Sequence, residues 1–218
     1  INGKSMVTRV CEQAQKVPSV NKVVVATDSE LIYNHVNESG FEAIMTSESH
    51  QSGTERCAEA VKKLNEKFDI VLNVQGDEPF IAPELIGEIV NAFGNSISIV
   101  TAVKKIEDVD VLCNPNVVKT VLSVSNHALY FSRQAIPYVR DTTTSEWLSQ
   151  SVYYKHIGIY GFKSEPLQCL VKLPVSLLEN TEKLEQLRWL DNDFRIKAII
   201  TEHESIGIDT PEDLDKIK

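Results

Sequence analysis

A chain of 218 residues that is 42% hydrophobic and 24% charged can bury a core, which excludes intrinsic disorder. At ~150 residues per domain it makes one large domain or two small ones. Its 22 basic and 31 acidic side chains leave a net charge of −9, which argues against nucleic-acid binding, because phosphate affinity comes from clustered Lys and Arg.

In chain order, apolar residues at helical spacing predict a first helix over 6–16. The Val-rich run at 22–28 predicts a strand with both faces buried, and helical spacing returns over 30–38 and 54–67. A second buried strand is expected over 69–77, then a helix over 83–93 and strands over 96–103 and 116–122. Residues 128–162 break this rhythm with Ile136-Pro137, the polar run 141–145 and aromatics from Trp147 to Tyr160. They read as an insertion, a lid or dimerisation element, before the sheet resumes. A helix over 181–191, a strand over 195–201 and a short capped helix over 211–218 complete the pattern. Alternating strands and helices predict an α/β fold, doubly wound around a mixed, mostly parallel sheet, in one domain spanning 1–218. Such folds normally open on a strand that runs into a glycine-rich or basic loop. This sequence opens on a loop and helix, so that first strand and phosphate-binding loop are expected to be missing from it.

Cys11, Cys57, Cys113 and Cys169 form no CxxC pair and are too sparse for a disulfide scaffold. No apolar run reaches the ~18 residues of a membrane span, and the polar Ile1-Asn2-Gly3-Lys4 opening is unlike a signal peptide. The expectation is a soluble, cytoplasmic protein with no membrane partner.

Ligands of open α/β sheets bind beyond the carboxyl ends of the strands. The strand ending Gln75-Gly76-Asp77-Glu78-Pro79 offers Gly76 for close backbone approach and Asp77 as a carboxylate for a hard cation. Asp28 ends the earlier strand in the same manner. Near the other end, Thr210 and Pro211 suit a helix start, which leaves Asp209 as a candidate second carboxylate opposite Asp77. Ser52 with Glu55 matches a capping box, and that helix start would put Gly53 and Arg56 near a nucleotide. Arg133 offers a bidentate fork for a carboxylate, and His156 a neutral hydrogen-bonding ring. A surface salt bridge and a satisfied core histidine are the plainer readings of those two. Glu179, Glu182, Glu185 and Gln186 are spaced to share one helix face.

The ordered set SHQSGTER, NVQGDEP, NPNVVK, YFSR, IP, HIGIYGF, EKLEQLRWL and IDTPEDL resembles the 3-deoxy-manno-octulosonate (KDO) cytidylyltransferases, the CMP-KDO synthetases of lipopolysaccharide biosynthesis. More distantly, it is similar to CMP-sialate synthetases. The resemblance implies a nucleotide-diphospho-sugar-transferase-like fold, a homodimer, a Mg2+ requirement, and transfer of CMP from CTP to the anomeric hydroxyl of the acid sugar. It also implies metal binding by Asp77 and Asp209, and a sugar pocket of Gln75, Arg133, His156, Tyr160, Glu182 and Gln186, with Arg133 on the sugar carboxylate. The SHQSGTER segment, with Ser52, Gly53 and Arg56, would help bind the cytidine, beside Gly76. The family's cationic N-terminal loop has no counterpart here, and Lys4 does not replace it. A related acid sugar, such as sialic acid or an 8-amino analogue of KDO, is the alternative substrate. A non-catalytic nucleotide or sugar binder is the alternative function.

Overall fold

The computed structural model of the chain describes residues 1, 3–203, 207 and 208. Helix α1 (Met6–Gln15) starts at Ser5, whose Oγ accepts from the Thr8 N–H, and it buries Val10, Cys11 and Ala14. Strand β1 (Val24–Thr27), helix α2 (Glu30–Glu38) and strand β2 (Glu42–Met45) form a βαβ unit, with Val24 of β1 opposite Glu42 of the parallel β2. Helix α2 stops at a Schellman motif. The Phe41 N–H donates to Val36 O at 3.1 Å and the Gly40 N–H to Asn37 O at 3.0 Å, with Gly40 at φ +83°.

Helix α3 (Gly53–Leu64) leads to strand β3 (Ile70–Asn73), and helix α4 (Pro83–Asn91) to strand β4 (Ile99–Lys105). Helix α5 (Val109–Cys113) precedes the antiparallel pair β5 (Lys119–Leu122) and β6 (Ala128–Ser132). After helix α6 (Trp147–Gln150) come the long strand β7 (Tyr154–Lys163), helices α7 (Ser164–Leu170), α8 (Leu177–Glu182) and α9 (Gln186–Asp191), and strand β8 (Ile196–Ile200).

Strand β7 organises the larger sheet. One of its edges pairs with β4 along nearly its whole length, from Tyr154 opposite Lys105 to Phe162 opposite Ile99. It also pairs with β5 through Tyr154 and Lys155, and with β3 through residues 160–163. All three ladders are antiparallel, whereas β4 and β8 run parallel. Strands β3, β4, β5 and β8 therefore point one way, and β6 and β7 the other, so the sheet is mixed with most strands in one direction. Between Thr101 and Ala102, β4 advances one residue while β7 steps from Tyr160 to Ile157. Gly158 and Ile159 are thus two extra residues on β7, a bulge of the kind that re-aims side chains beside functional sites.

Every residue of 99–103 is buried, as befits a strand covered on both faces. Ile99 joins Phe131, Tyr160, Phe162 and Trp189 in one core, while Val100 and Ala102 join Leu85, Ile86 and Ile89 of α4 in another. A smaller cluster of Ile106, Leu112, Trp147 and Tyr153 lies apart from both.

Two sequence expectations need correction. Residues 128–162 are not wholly an insertion, since β6 and β7 belong to the sheet and β7 is its most-paired strand. The helix expected over 181–191 is two helices, because Lys183 adopts a left-handed φ of 55°. Ser176 and Glu179 form a capping box at the start of α8, and Arg188 of α9 grips the Glu179 carboxylate with two bonds of 2.6 Å. The expected 211–218 helix lies outside the described residues. Among the described residues no helix is long and apolar enough to cross a membrane.

Candidate active site

A cavity of about 1540 Å3 opens where the chain leaves β3 and where it enters β5. Those two strands share one edge of β7 and leave its middle unladdered. Gln75, two residues past the end of β3, fills part of the gap by donating Nε2–H to Gly158 O at 3.0 Å. The His156 N–H donates to Val118 O at 2.8 Å on the β5 side. The cavity also runs along consecutive residues of β1 (24–26) and β3 (70–73), so it follows strand edges rather than one strand face.

Arg133 follows β6 and lines the cavity. Its guanidinium donates only to backbone carbonyls, from Nε to Glu182 O (2.8 Å), Nη1 to Pro115 O (3.2 Å) and Nη2 to Lys183 O (3.5 Å). No carboxylate of the described residues pairs with this charge. Glu182 does not line the cavity. Its carboxylate accepts from Ser132 Oγ (2.7 Å) and the Arg133 N–H (2.9 Å), so it sets the arginine's backbone instead.

Beneath them lies Lys119, which is fully buried. Its ammonium donates to Asn114 O (2.9 Å), Val117 O (2.7 Å) and Arg133 O. These bonds use all three of its protons and tie the 114–117 loop to the arginine. Burial lowers the Lys119 pKa, and the nearby Glu182 charge partly opposes that shift.

His156 and Tyr160 project from the same face of β7, with ring centroids 5.2 Å apart. Burial pushes the His156 pKa down to about 3, so the imidazole is neutral at physiological pH. Its Nε2 lies 2.9 Å from Thr101 Oγ1. The Tyr160 hydroxyl is buried with no hydrogen-bond partner among the described residues, and burial raises its pKa well above the ordinary value. Gln186, at the start of α9, is buried and lines the cavity.

At the start of α3, Ser52 Oγ caps the helix by accepting from the Glu55 N–H at 3.2 Å. The Glu55 carboxylate turns one residue further back, to the Gln51 N–H at 2.8 Å, so the capping box is only half formed. Gly53 allows α3 to abut β3, because a Cβ there would sit 3.0 Å from Asn73 Nδ2. Gly76 faces open space. Arg56 is committed within the protein, to Asp28 (2.7 Å) and Thr46 Oγ1 (2.7 Å), and its charge holds the Asp28 carboxyl below its ordinary pKa. The Asp28 at the end of β1 is therefore an anchor for that arginine.

Asp77 is half-buried at the cavity rim, and its carbonyl accepts from the Ile208 N–H at 2.9 Å. Asp209 lies outside the described residues. Among the described residues no group of three or more His, Cys, Asp or Glu is placed to hold a metal ion. Asp77 does supply hard oxygen donors, the chemistry that suits magnesium, which takes one or two carboxylates and completes its shell with water and substrate phosphates.

Glu185, in sequence one acid of a predicted helix face, lines this cavity. It accepts from Ser52 Oγ (2.7 Å) and Thr54 Oγ1 (2.8 Å), joining the α3 start to the α9 start. Burial raises its pKa, and those two hydroxyls oppose the rise. Its adjacency to Gln186 was the only available signal, because its partners lie more than 130 positions away. Thr101 and Lys119, each buried in a strand, carried no signal at all.

The cytidylyltransferase family model matches residues 1–199. The 3-deoxy-manno-octulosonate cytidylyltransferase of Parabacteroides distasonis is 48% identical, over 99% of this chain and 87% of that protein. The enzyme of the same name from Cytophaga hutchinsonii is 44% identical, over 98% and 86%. A solved structure of CMP:2-keto-3-deoxy-manno-octonic acid synthetase complexed with CTP superposes with a TM-score of 0.91 at 35% identity, covering all of this chain and 87% of that one. The chain belongs to the cytidylyltransferase family and is a nucleotidyltransferase.

Proposed function

We propose that this chain transfers CMP from CTP to the anomeric 2-hydroxyl of KDO, giving CMP-KDO for lipopolysaccharide biosynthesis. The hydroxyl oxygen attacks the α-phosphorus, the bond from that phosphorus to the bridging oxygen breaks, and pyrophosphate leaves with the electron pair. The hydroxyl proton passes to solvent. The observation that carries the acid-sugar reading is Arg133, a guanidinium lining the cavity, held by three carbonyls and paired with no carboxylate of the described residues. The carboxylate of the sugar supplies that counter-ion in bidentate geometry. Gln75, His156, Tyr160 and Gln186 orient the ring, while the α3 start and Gly76 flank the nucleotide. Positioning and charge complementarity thus do most of the catalytic work.

Asp77 and Asp209 are the residues that would hold Mg2+, which when bound neutralises phosphate charge and acidifies a coordinated hydroxyl. We read the protein as a cytoplasmic homodimer, with its partner surface within 128–162. The exposure of Leu129, Tyr138 and Val152 in that stretch supports this reading.

Arg133 recognises a carboxylate, not a ring substituent, so sialic acid and an 8-amino KDO analogue are the competing substrates. Pyrophosphate release from CTP with each sugar in turn, in the presence of Mg2+, decides among them. The highest kcat/KM is expected with KDO. A preference for another acid sugar moves the assignment to it, and release no greater than with CTP alone overturns the enzymatic reading.

A further inference from the structure

Thr101 sits at the β4 side of the β7 bulge and is fully buried. Its Oγ1 lies 2.8 Å from Ile159 O and 3.4 Å from Ile157 O, the carbonyls on either side of Gly158. Two oxygens at 2.8 Å repel unless a proton lies between them, and a carbonyl has none to give. The single Thr101 hydroxyl proton therefore points at Ile159 O. Only lone pairs remain to meet His156 Nε2 at 2.9 Å, so Nε2 must carry a hydrogen and donate it. In a neutral imidazole that leaves Nδ1 unprotonated, and Nδ1 makes no hydrogen bond to any described residue although the ring lines the cavity.

We propose that Thr101 is a positioning residue that fixes His156 in the Nε2–H tautomer and so presents Nδ1 as a hydrogen-bond acceptor for a hydroxyl of the sugar. The bulge is what makes this possible. Two extra residues in β7 bring a pair of carbonyls to one hydroxyl, and that pair dictates the direction of the hydrogen bond to the ring. The sugar-binding half of the inference rests on the function proposed above; the tautomer half does not.

Long-range 1H–15N correlation on the histidine-labelled free protein reads the tautomer directly. A pyrrole-type Nε2 and a pyridine-type Nδ1 are expected for His156, and a protonated Nδ1 or an averaged pair of signals overturns the proposal. In Thr101→Val the Nε2–H loses its acceptor, the signals should average, and the KM for the sugar should rise about tenfold, the scale of one neutral hydrogen bond. The KM for CTP should stay within about twofold, and Thr101→Ser should restore both tautomer and sugar KM. A valine variant with an unchanged tautomer and sugar KM refutes the role. If it does not fold, the wild-type and serine spectra decide. Should wild type release no pyrophosphate with any acid sugar, the functional reading fails, and the spectra still decide whether Thr101 sets the tautomer.

Discussion

On the proposed function, the carboxylate of the sugar pairs with one side chain, Arg133. Replacing it with Gln removes the charge-assisted pair, which is typically worth about 1.5–3 kcal/mol. The KM for the sugar should then rise about 10- to 100-fold, with the KM for CTP nearly unchanged in steady-state assays. Glu182→Gln acts one step away. It sets an amide or a weaker acceptor against the Arg133 N–H and Ser132 Oγ, and should cost about 1–2 kcal/mol in urea unfolding. His156 gives a pH signature. Its pKa falls from an ordinary 6.5 to about 3 on folding, so between those values the unfolded chain binds the proton first. Its contribution is fully present above pH 6.5 and shrinks as pH falls, by about 1.4 kcal/mol per unit across that window. Comparing urea melts of wild type and His156→Gln at pH 7 and pH 5 isolates it. An equal gap between the two proteins at both pH values would contradict the assignment.

At the scale of elements, glycines mark where the backbone does something a side chain forbids. Gly40 closes α2 at φ +83°, so Gly40→Ala should cost about 1 kcal/mol in thermal or chemical unfolding with activity intact. At Gly161 a Cβ would lie 2.8 Å from Ile89 Cγ2 and from Phe93 Cε2. Gly161→Ala should therefore overpack the contact between β7 and α4 by about 1–3 kcal/mol. At Gly158 a Cβ would sit 2.5 Å from Gln75 Nε2; Gly158→Ala should spare the fold, displace Gln75 and raise the sugar KM.

Helix α2 was legible from its apolar spacing alone, and its bounds match the expected 30–38 residue for residue. Strand β4 was legible because both of its faces are buried. Strand β7 was not, because seven of its ten residues are His, Lys, Tyr or Gly, which leaves no simple apolar pattern. The break at Lys183 escaped detection as well, since a left-handed lysine leaves no mark in a helical periodicity.

For the whole molecule, the sequence motifs named several residues that the fold brings to one cavity and misjudged how that cavity is held together. Gln75, Arg133, His156, Tyr160 and Gln186 meet there from β3, β6, β7 and α9, although up to 111 positions separate them. The supports behind them, Thr101, Lys119 and Glu185, were invisible because a buried polar residue declares its purpose only through three-dimensional partners. Arg56 shows the converse, a cation conspicuous in the sequence that the fold spends on Asp28 and Thr46. The acid sugar is expected at the break between β3 and β5 on the edge of β7, and a crystal structure of this chain with KDO bound would locate it. The carboxylate should lie against the Arg133 guanidinium, with a ring hydroxyl donating to His156 Nδ1. A sugar bound elsewhere, or bound here with its carboxylate turned away from Arg133, would refute this placement.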